Sequence, residues 1–172
     1  RGKKDEAERL INDLFGQLIT HLTFQKEYSV SDYDFVISFG EKFSVVILNA
    51  ALQKLGIRSK IFDSKDLIVT TNDFGNSSVF FDETKVKVEK ILYPCIMNGL
   101  IPLVPGFYGA TKDGRIATLG RGGSDYTATI LAYSLDAREV ILWKEVDGVF
   151  SHDPKKNGNG LKFFPELSYH EA

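Results

Sequence analysis

The sequence has few of the residues that cross-link secreted proteins or bind metals: of its 172 residues, one is cysteine and three are histidine. The lone Cys95 cannot form an internal disulfide, so a hydrophobic core must stabilise the fold, and a reducing, cytoplasmic setting is expected. Cys95 lies in an apolar run, residues 91–97, and is expected to be a buried small side chain. Because His21, His152 and His170 lack the spacing of metal ligands, no metal site is expected.

The sequence also lacks an excess of charge of either sign. It has 21 lysine and arginine residues against 23 aspartate and glutamate residues, a formal net charge of -2. A general nucleic-acid binder is normally basic, so no nucleic-acid partner is expected. No signal peptide and no apolar run long enough to cross a bilayer are evident, so no membrane partner is expected either. The hydrophobic content of 43% and the length suit one domain with a packed core.

A glycine-rich segment, residues 118–128, is the strongest functional signal in the chain. Three glycines surround Arg121, and an apolar run with helical spacing follows, which is typical of a turn that leads into a helix. Free N–H groups and the positive end of the helix dipole favour an anion there, and arginine matches a carboxylate or a phosphate. The alternative is an ordinary glycine-rich surface turn. The segment reads Thr118-Leu119-Gly120-Arg121-Gly122-Gly123-Ser124-Asp125-Tyr126-Thr127-Ala128.

Helical and strand-like segments alternate along the chain, which predicts an α/β sandwich. Apolar residues recur every three or four positions near the N-terminus, and Ser38 and Glu41 have the spacing of a capping box for a second helix. Trp143 is expected in the core, at the end of a buried strand. The predicted helices are 3–23, one ending at Gly56, 84–97 and one after the glycine-rich segment; the predicted strands are 57–62, 67–71, 101–105 and 139–143, with a hairpin turn at Asp113-Gly114.

Four motifs, in order, resemble those of the aspartate kinases in the amino-acid kinase superfamily. The resemblance covers residues 31–172 and implies a three-layer α/β/α sandwich with a mostly parallel sheet, incomplete at both ends. The motifs are Ser38-Phe39-Gly40-Glu41-Lys42-Phe43-Ser44, Pro105-Gly106-Phe107-Tyr108-Gly109, the glycine-rich segment, and Trp143-Lys144-Glu145-Val146-Asp147-Gly148-Val149 followed by Asp153-Pro154.

The resemblance implies transfer of the γ-phosphoryl group of ATP to the side-chain carboxylate of L-aspartate. The product is 4-phospho-L-aspartate, on the route to lysine, threonine and methionine. The implied partners are L-aspartate and ATP, with Mg²⁺ held mainly by the ATP phosphates. A full-length parent is expected to be a homo-oligomer in the cytoplasm, or in a plastid if it is of the plant type.

The resemblance also assigns roles around the amino-acid pocket. Arg121 is expected to bind the α-carboxylate of aspartate, and Glu41 its ammonium group. Asp125 is expected to be a catalytic carboxylate, with a helix-dipole role as its alternative. The other residues expected to border the pocket are Phe107, Gly122, Gly123 and Ser124.

For the nucleotide, the resemblance assigns Lys144, Glu145, Phe150 and Lys155. The chain departs here from the commonest pattern, since threonine, tyrosine and arginine are common where Lys144, Phe150 and Lys155 stand. Phe150 can stack on a base but cannot donate a hydroxyl hydrogen bond, and lysine cannot bind a phosphate in bidentate fashion. These departures change the side chains that would meet the phosphates and the base.

Two parts of the family pattern are missing, so residues 1–172 are expected to be part of a catalytic domain and inactive alone. A Lys-Phe-Gly-Gly strand is expected before Arg1, and regulatory ACT domains after Ala172. Two alternatives stay open: another kinase of the superfamily, and a non-catalytic ligand-binding module that kept the fold.

Overall fold

The computed structural model describes residues 2–153, 160–168, 170 and 171. The contacts divide the chain into two units, Arg1–Val140 and Ile141–Ala172, which are described separately. The elements are α1 (Gly2–Phe24), α2 (Val30–Lys54), β1 (Ser59–Ile61), α3 (Ser64–Leu67), β2 (Val69–Thr70), α4 (Phe81–Met97), β3 (Ile101–Leu103), β4 (Tyr108–Thr111), β5 (Ile116–Thr118), α5 (Gly123–Ser134), β6 (Val149–Phe150) and β7 (Phe163–Phe164).

The strands of the first unit form parallel pairs and one hairpin. β1 pairs with β3 and β2 with β4, both in parallel, whereas β4 and β5 are antiparallel. The hairpin predicted at Asp113-Gly114 is confirmed, because Gly114 has a φ of 87° in the turn between β4 and β5. Pro102 lies in β3, which among the described residues pairs with β1 alone, and proline is tolerated on such an edge.

Two groups of helices contact these strands and bury the core. α1 packs on α2, which contacts β1 and β5, while α4 and α5 contact each other and the strands β2, β3 and β4. Leu67 and Ile68 are fully buried against Val88 and Leu92 of α4, and Cys95 is buried on the same helix as predicted. The predicted α/β/α sandwich is therefore confirmed.

The N-cap of the second helix lies nine residues before the predicted cap. Ser29 is the N-cap of α2: its hydroxyl accepts from the Asp32 N–H, and the Asp32 carboxylate accepts from the Ser29 N–H at 2.8 Å. The prediction that Ser38 and Glu41 form a capping box is wrong, since both lie inside the helix and the Ser38 hydroxyl donates to the Phe35 carbonyl. The S-x-x-E spacing also occurs inside helices, where it forms no cap. Here Ser29, which follows the break after α1, forms the capping box with Asp32.

α2 is the one helix, among the described residues, that is long and apolar enough to cross a membrane by length and composition. The sequence prediction that no such run exists is wrong in this sense, because an 18-residue window of α2 has a mean hydropathy of 1.6. The helix buries Asp34 and Lys42 and contacts α1 and two strands. These contacts are those of a helix that packs within a domain.

The prediction of a buried strand at 139–143 is wrong. This segment has no strand structure, and Trp143 is 90% exposed. An apolar run becomes a buried strand only where neighbours pair with it and cover it, and none of the described residues does so. In the second unit, β6 and β7 form an antiparallel pair that joins Phe150 to Phe163.

Candidate functional site

Two loops of the first unit meet at the start of α5. The loop before β4 contains Pro105, Gly106 and Phe107, and the glycine-rich segment leads into the helix at Gly123. A Cβ atom on Gly106 would lie 2.9 Å from Ser124 Cα, and one on Gly123 would lie 3.0 Å from the Phe107 ring. Real Cβ atoms do not approach as closely as 2.9 Å, so Gly106 must be glycine, whereas a Cβ atom at Gly123 would fit only if Phe107 shifted. The structure thus brings together the predicted residues Phe107, Gly123 and Ser124.

Glu41 reaches this cluster from α2. The hydroxyl of Ser124 donates to Glu41 Oε1 at 3.3 Å, across 83 positions of sequence. Glu41 is half-buried, and its carboxylate lies beside the first turn of α5. The structure therefore places an anionic side chain next to the glycine-rich loop, where a ligand ammonium group would be attracted.

The glycine-rich loop itself is built from left-handed backbone. Gly120 and Gly122 have φ values of 76° and 74°, and Gly122 is the N-cap of α5 without a side-chain hydrogen bond. Left-handed backbone at these positions explains why the loop needs glycine. Arg121 is exposed between them and has no hydrogen bond or ion pair with any residue that the structure describes. Asp125 is half-buried in the first turn of α5.

A buried carboxylate, which the sequence did not single out, forms hydrogen bonds beside the start of this loop. Asp34 is fully buried in α2 and accepts three hydrogen bonds: from the N–H of Gly75 at 2.8 Å, from the N–H of Thr118 at 2.7 Å and from the Thr118 hydroxyl at 2.8 Å. Thr118 ends β5 and precedes the glycine-rich loop, and the Asn76 side chain packs against Gly120. The only sequence signal was an acidic residue on the apolar side of a helix.

Replacing Asp34 by asparagine is expected to lower the free energy of unfolding by about 2–4 kcal/mol. The amide oxygen can keep the two N–H bonds, but the NH₂ group then faces the Thr118 hydroxyl, whose proton it cannot accept, and the charge that strengthens all three bonds is lost. Urea denaturation measures the change. Asp73→Asn in the neighbouring turn is the control, because its exposed carboxylate accepts from Thr71 alone, and it should cost less than about 1 kcal/mol. Equal losses in the two variants would contradict the supporting role of Asp34.

Lys42 is a second buried ionisable group that the sequence did not single out. It is 8% exposed, and its Nζ lies 5.5, 4.7 and 5.3 Å from the ring centroids of Phe35, Phe39 and Tyr108. Lys42 and Asp63 line a cavity of about 540 Å³ between α1, α2 and β1, and Tyr108 donates to Asp63 at 2.9 Å. Burial lowers the pKa of Lys42, and the negative charge of Asp63 opposes this effect only in part.

Replacing Lys42 by methionine is expected to raise the free energy of unfolding at pH 7 by about 1 kcal/mol, because a desolvated charge is removed. The folded pKa is lowered, so the unfolded chain binds more protons as pH approaches about 10.4, and stability rises with pH in that window. The variant should lose this rise. Thermal unfolding between about pH 7 and pH 9.5 measures it, below the titration of tyrosine.

Lys90→Met on α4 is the control for this prediction, since Lys90 is exposed and should show no such pH dependence. A Lys42→Met variant that is less stable than the parent at every pH would show that the amine stabilises the fold through its ring contacts.

The residues predicted to bind the nucleotide lie in the second unit. Lys144 and Glu145 are exposed, and Lys155 lies outside the described residues. The Phe150 ring packs on Phe163 with centroids 5.3 Å apart. Trp143 is exposed and does not occupy a core. Among the described residues, no group of three or more histidine, cysteine, aspartate or glutamate side chains could hold a metal ion.

The fold and the cluster define an α/β/α protein with a glycine-rich loop, a free arginine and a glutamate at the start of one helix. The sequence model of the amino acid kinase family matches residues 2–172. The chain belongs to the amino acid kinase family.

Its relatives include aspartokinases from a plant and a bacterium. Aspartokinase 1, chloroplastic, of Arabidopsis thaliana is 38% identical over 141 residues, which are 80% of this chain and 25% of that protein. Lysine-sensitive aspartokinase 3 of Escherichia coli is 31% identical over 171 residues, which are 98% of this chain and 36% of that protein. The chain therefore spans about a quarter to a third of the length of these relatives.

A solved structure supports the same kinship. The crystal structure of E. coli aspartokinase III in complex with aspartate and ADP matches with a TM-score of 0.77 and 31% identity, over 88% of this chain and 33% of that chain. The same enzyme in complex with lysine and aspartate matches with a TM-score of 0.74 and 30% identity, over 92% of this chain and 35% of that chain.

Proposed function

We propose that the chain is the central part of an aspartate kinase catalytic domain. The intact enzyme transfers the γ-phosphoryl group of ATP to the side-chain carboxylate of L-aspartate and forms 4-phospho-L-aspartate, the first step towards lysine, threonine and methionine. The observation that carries the proposal is the pairing of Glu41 with Ser124 beside the exposed Arg121. The names of the relatives support the same reaction.

The charges of the cluster suit a small amino acid with two carboxylates. In this proposal, Glu41 attracts the ammonium group of L-aspartate, and Arg121 binds its α-carboxylate in bidentate fashion. The positive end of the α5 dipole, at Gly123 and Ser124, also favours an anion. Phe107 and Gly122 border the same pocket. The substrate is thereby held at its α-carbon substituents, which leaves the side-chain carboxylate to react.

Positioning is the main requirement of this reaction. A carboxylate is a nucleophile at neutral pH, so no general base must remove a proton. Catalysis then consists of aligning the two substrates and stabilising the charge on the transferring phosphoryl group. Asp125, in the first turn of α5, is the carboxylate assigned to organise the cationic groups around the two anionic substrates. Both substrates are anions, so a nearby carboxylate is favourable only when a cation offsets it.

The nucleotide is assigned to the second unit. We propose that Lys144 and Lys155 contact ATP phosphates, and that Glu145 and Phe150 lie near the base and ribose. The ADP present in the crystal structure of E. coli aspartokinase III supports nucleotide use. Magnesium is assigned mainly to the ATP phosphates, because no acidic group that could hold it alone occurs among the described residues. It would supply charge neutralisation when bound.

Trapping of aspartyl phosphate with hydroxylamine tests the proposal. The full-length protein that contains this chain is incubated with Mg-ATP and L-aspartate, and the hydroxamate is measured. Parallel reactions with L-glutamate, N-acetyl-L-glutamate and UMP distinguish the other kinases of the superfamily. Hydroxamate from L-aspartate alone supports the proposal; ATP consumption with another acceptor identifies a sibling kinase; ligand binding without turnover identifies a non-catalytic module.

The remaining proposals concern the intact protein. We place it in the cytoplasm, or in a plastid for a plant-type source, and expect a homo-oligomer. Residues 1–172 alone are expected to show no turnover, because phosphate-binding groups of the family pattern lie outside them.

A further inference from the structure

We propose that Thr127 is a positioning residue that sets the shape of the substrate pocket by joining its two loops. This inference rests on the proposed function, because the pocket is the one assigned to L-aspartate. Thr127 is 2% exposed and lies on the second turn of α5, behind the glycine-rich loop. The sequence analysis included it in the glycine-rich segment but assigned it no role.

The hydroxyl of Thr127 makes two hydrogen bonds at once. The N–H of Phe107 donates to Thr127 Oγ1 at 3.0 Å, and the hydroxyl donates to the carbonyl of Gly123 at 2.8 Å. A hydroxyl can donate one proton and can accept at its lone pairs. The Thr127 hydroxyl therefore joins the loop that contains Phe107 to Gly123, where the glycine-rich segment enters α5. The Thr127 hydroxyl is buried, its bond to Gly123 is buried and its bond from Phe107 is partly buried, so water replaces these bonds poorly.

Phe107 needs this link because of its backbone. Its φ is 80°, a left-handed conformation that an aromatic residue seldom adopts and that persists only when its surroundings impose it. The surroundings supply three contacts to the loop: the Thr127 hydroxyl at the Phe107 N–H, the Leu119 N–H at the Phe107 carbonyl and the Ser64 hydroxyl at the Pro105 carbonyl. The Leu119 bond is a backbone contact from the glycine-rich segment itself, and Thr127 is the side chain among these three contacts that bonds both to Phe107 and to the first residue of α5.

Because the two loops pack closely, a movement of Phe107 would also displace the residues proposed to bind the substrate. The Phe107 ring lies against Gly123, where a Cβ atom would be crowded, and Gly106 lies against Ser124 without space for a Cβ atom. Ser124 in turn contacts Glu41. If the backbone of Phe107 relaxes to an ordinary conformation, Ser124 and the start of α5 lose the surface they pack on. The predicted effect is therefore on substrate affinity more than on the chemical step.

Three variants of the full-length protein test the inference. Thr127→Val keeps the shape and removes both hydrogen bonds, whereas Thr127→Ser keeps the hydroxyl. Ser134→Ala is the matched control, because the Ser134 hydroxyl is as buried and donates to the Ile130 carbonyl four residues back, as Thr127 does to Gly123, but contacts neither loop. The measurements are kcat, KM for L-aspartate, KM for ATP, and the hydrogen exchange rate of the Phe107 amide.

We expect Thr127→Val to raise the KM for L-aspartate about tenfold and the Phe107 exchange rate by a similar factor, with KM for ATP changed by less than about twofold. Thr127→Ser and Ser134→Ala should stay within about twofold of the parent in all four measurements. Should the valine variant fail to fold, Thr127→Ala is measured in its place. Unchanged values in the variant without the hydroxyl, or equal changes in Ser134→Ala, overturn the inference.

The exchange measurement separates this inference from the proposed function. If L-aspartate is not a substrate but the Phe107 amide exchanges faster in Thr127→Val alone, the proposed function fails and the positioning role stands. If the enzyme phosphorylates L-aspartate but the exchange rate and the KM for L-aspartate are unchanged in Thr127→Val, the positioning role fails and the function stands.

Discussion

Replacing Arg121 by alanine in the full-length protein is expected to raise the KM for L-aspartate by about 30-fold or more, equivalent to at least about 2 kcal/mol, and to change the KM for ATP far less. Arg121 is the exposed guanidinium in a glycine-rich loop, and it has no partner among the described residues. A charge that the protein does not satisfy is available to a ligand carboxylate. Initial-rate kinetics with each substrate varied in turn measures the effect.

Arg121→Lys is the matched variant, and it should recover part of the affinity, because lysine keeps the charge and loses the planar fork. The melting temperature of both variants should equal that of the parent, since the side chain is exposed and makes no hydrogen bond or ion pair with the residues that the structure describes. A larger effect on the KM for ATP than on that for L-aspartate would assign Arg121 to a phosphate and overturn the assignment to the amino acid.

Replacing Asp125 by asparagine is expected to lower kcat by about a hundredfold or more while both KM values change little. Asparagine keeps the size and the hydrogen-bonding reach of the side chain and removes its charge. The alternative role, an aspartate that complements the dipole of α5, contributes only about 0.3–1 kcal/mol to the stability of the helix and would leave kcat intact. Single-turnover kinetics with Mg-ATP and L-aspartate distinguishes the two roles.

Asp136→Asn is the control for this prediction, because Asp136 follows the last turn of the same helix, away from the glycine-rich loop. It should leave kcat unchanged. If Asp125→Asn retains most of the activity and lowers the melting temperature instead, Asp125 has a structural role.

The parts of the fold that sequence reasoning predicted correctly are those with a local physical cause. The helix at the N-terminus follows from apolar spacing, the end of α2 from Gly56 in left-handed backbone, and the hairpin from Asp113-Gly114. The errors occurred where a local pattern had two interpretations. Ser38 has the spacing of a cap but lies inside α2, and the apolar residues 139–143 resemble a strand but find no neighbour.

The same division applies to the candidate site. The glycine-rich loop was recognisable because three glycines, one arginine and a helix start occur within a few positions of each other. The motif around Glu41 was recognisable as a motif, but its contact with Ser124 spans 83 positions and depends on how α2 packs beside α5. Asp34 gave almost no sequence signal, and Thr127 lay in the recognised segment without a role, because an aspartate or a threonine in a helix is ordinary until its partners are known.

The sequence by itself determined much of the local backbone of this protein, such as the first helix, the hairpin turn and the left-handed glycines before α5, because these properties depend on residues within a few positions of one another. Only the tertiary structure decided that Asp34 accepts three hydrogen bonds under the glycine-rich loop and that Thr127 holds Phe107 in a left-handed conformation. Those contacts join residues that lie 20 to 84 positions apart in sequence, and their energies depend on burial, which exists only once the elements have packed.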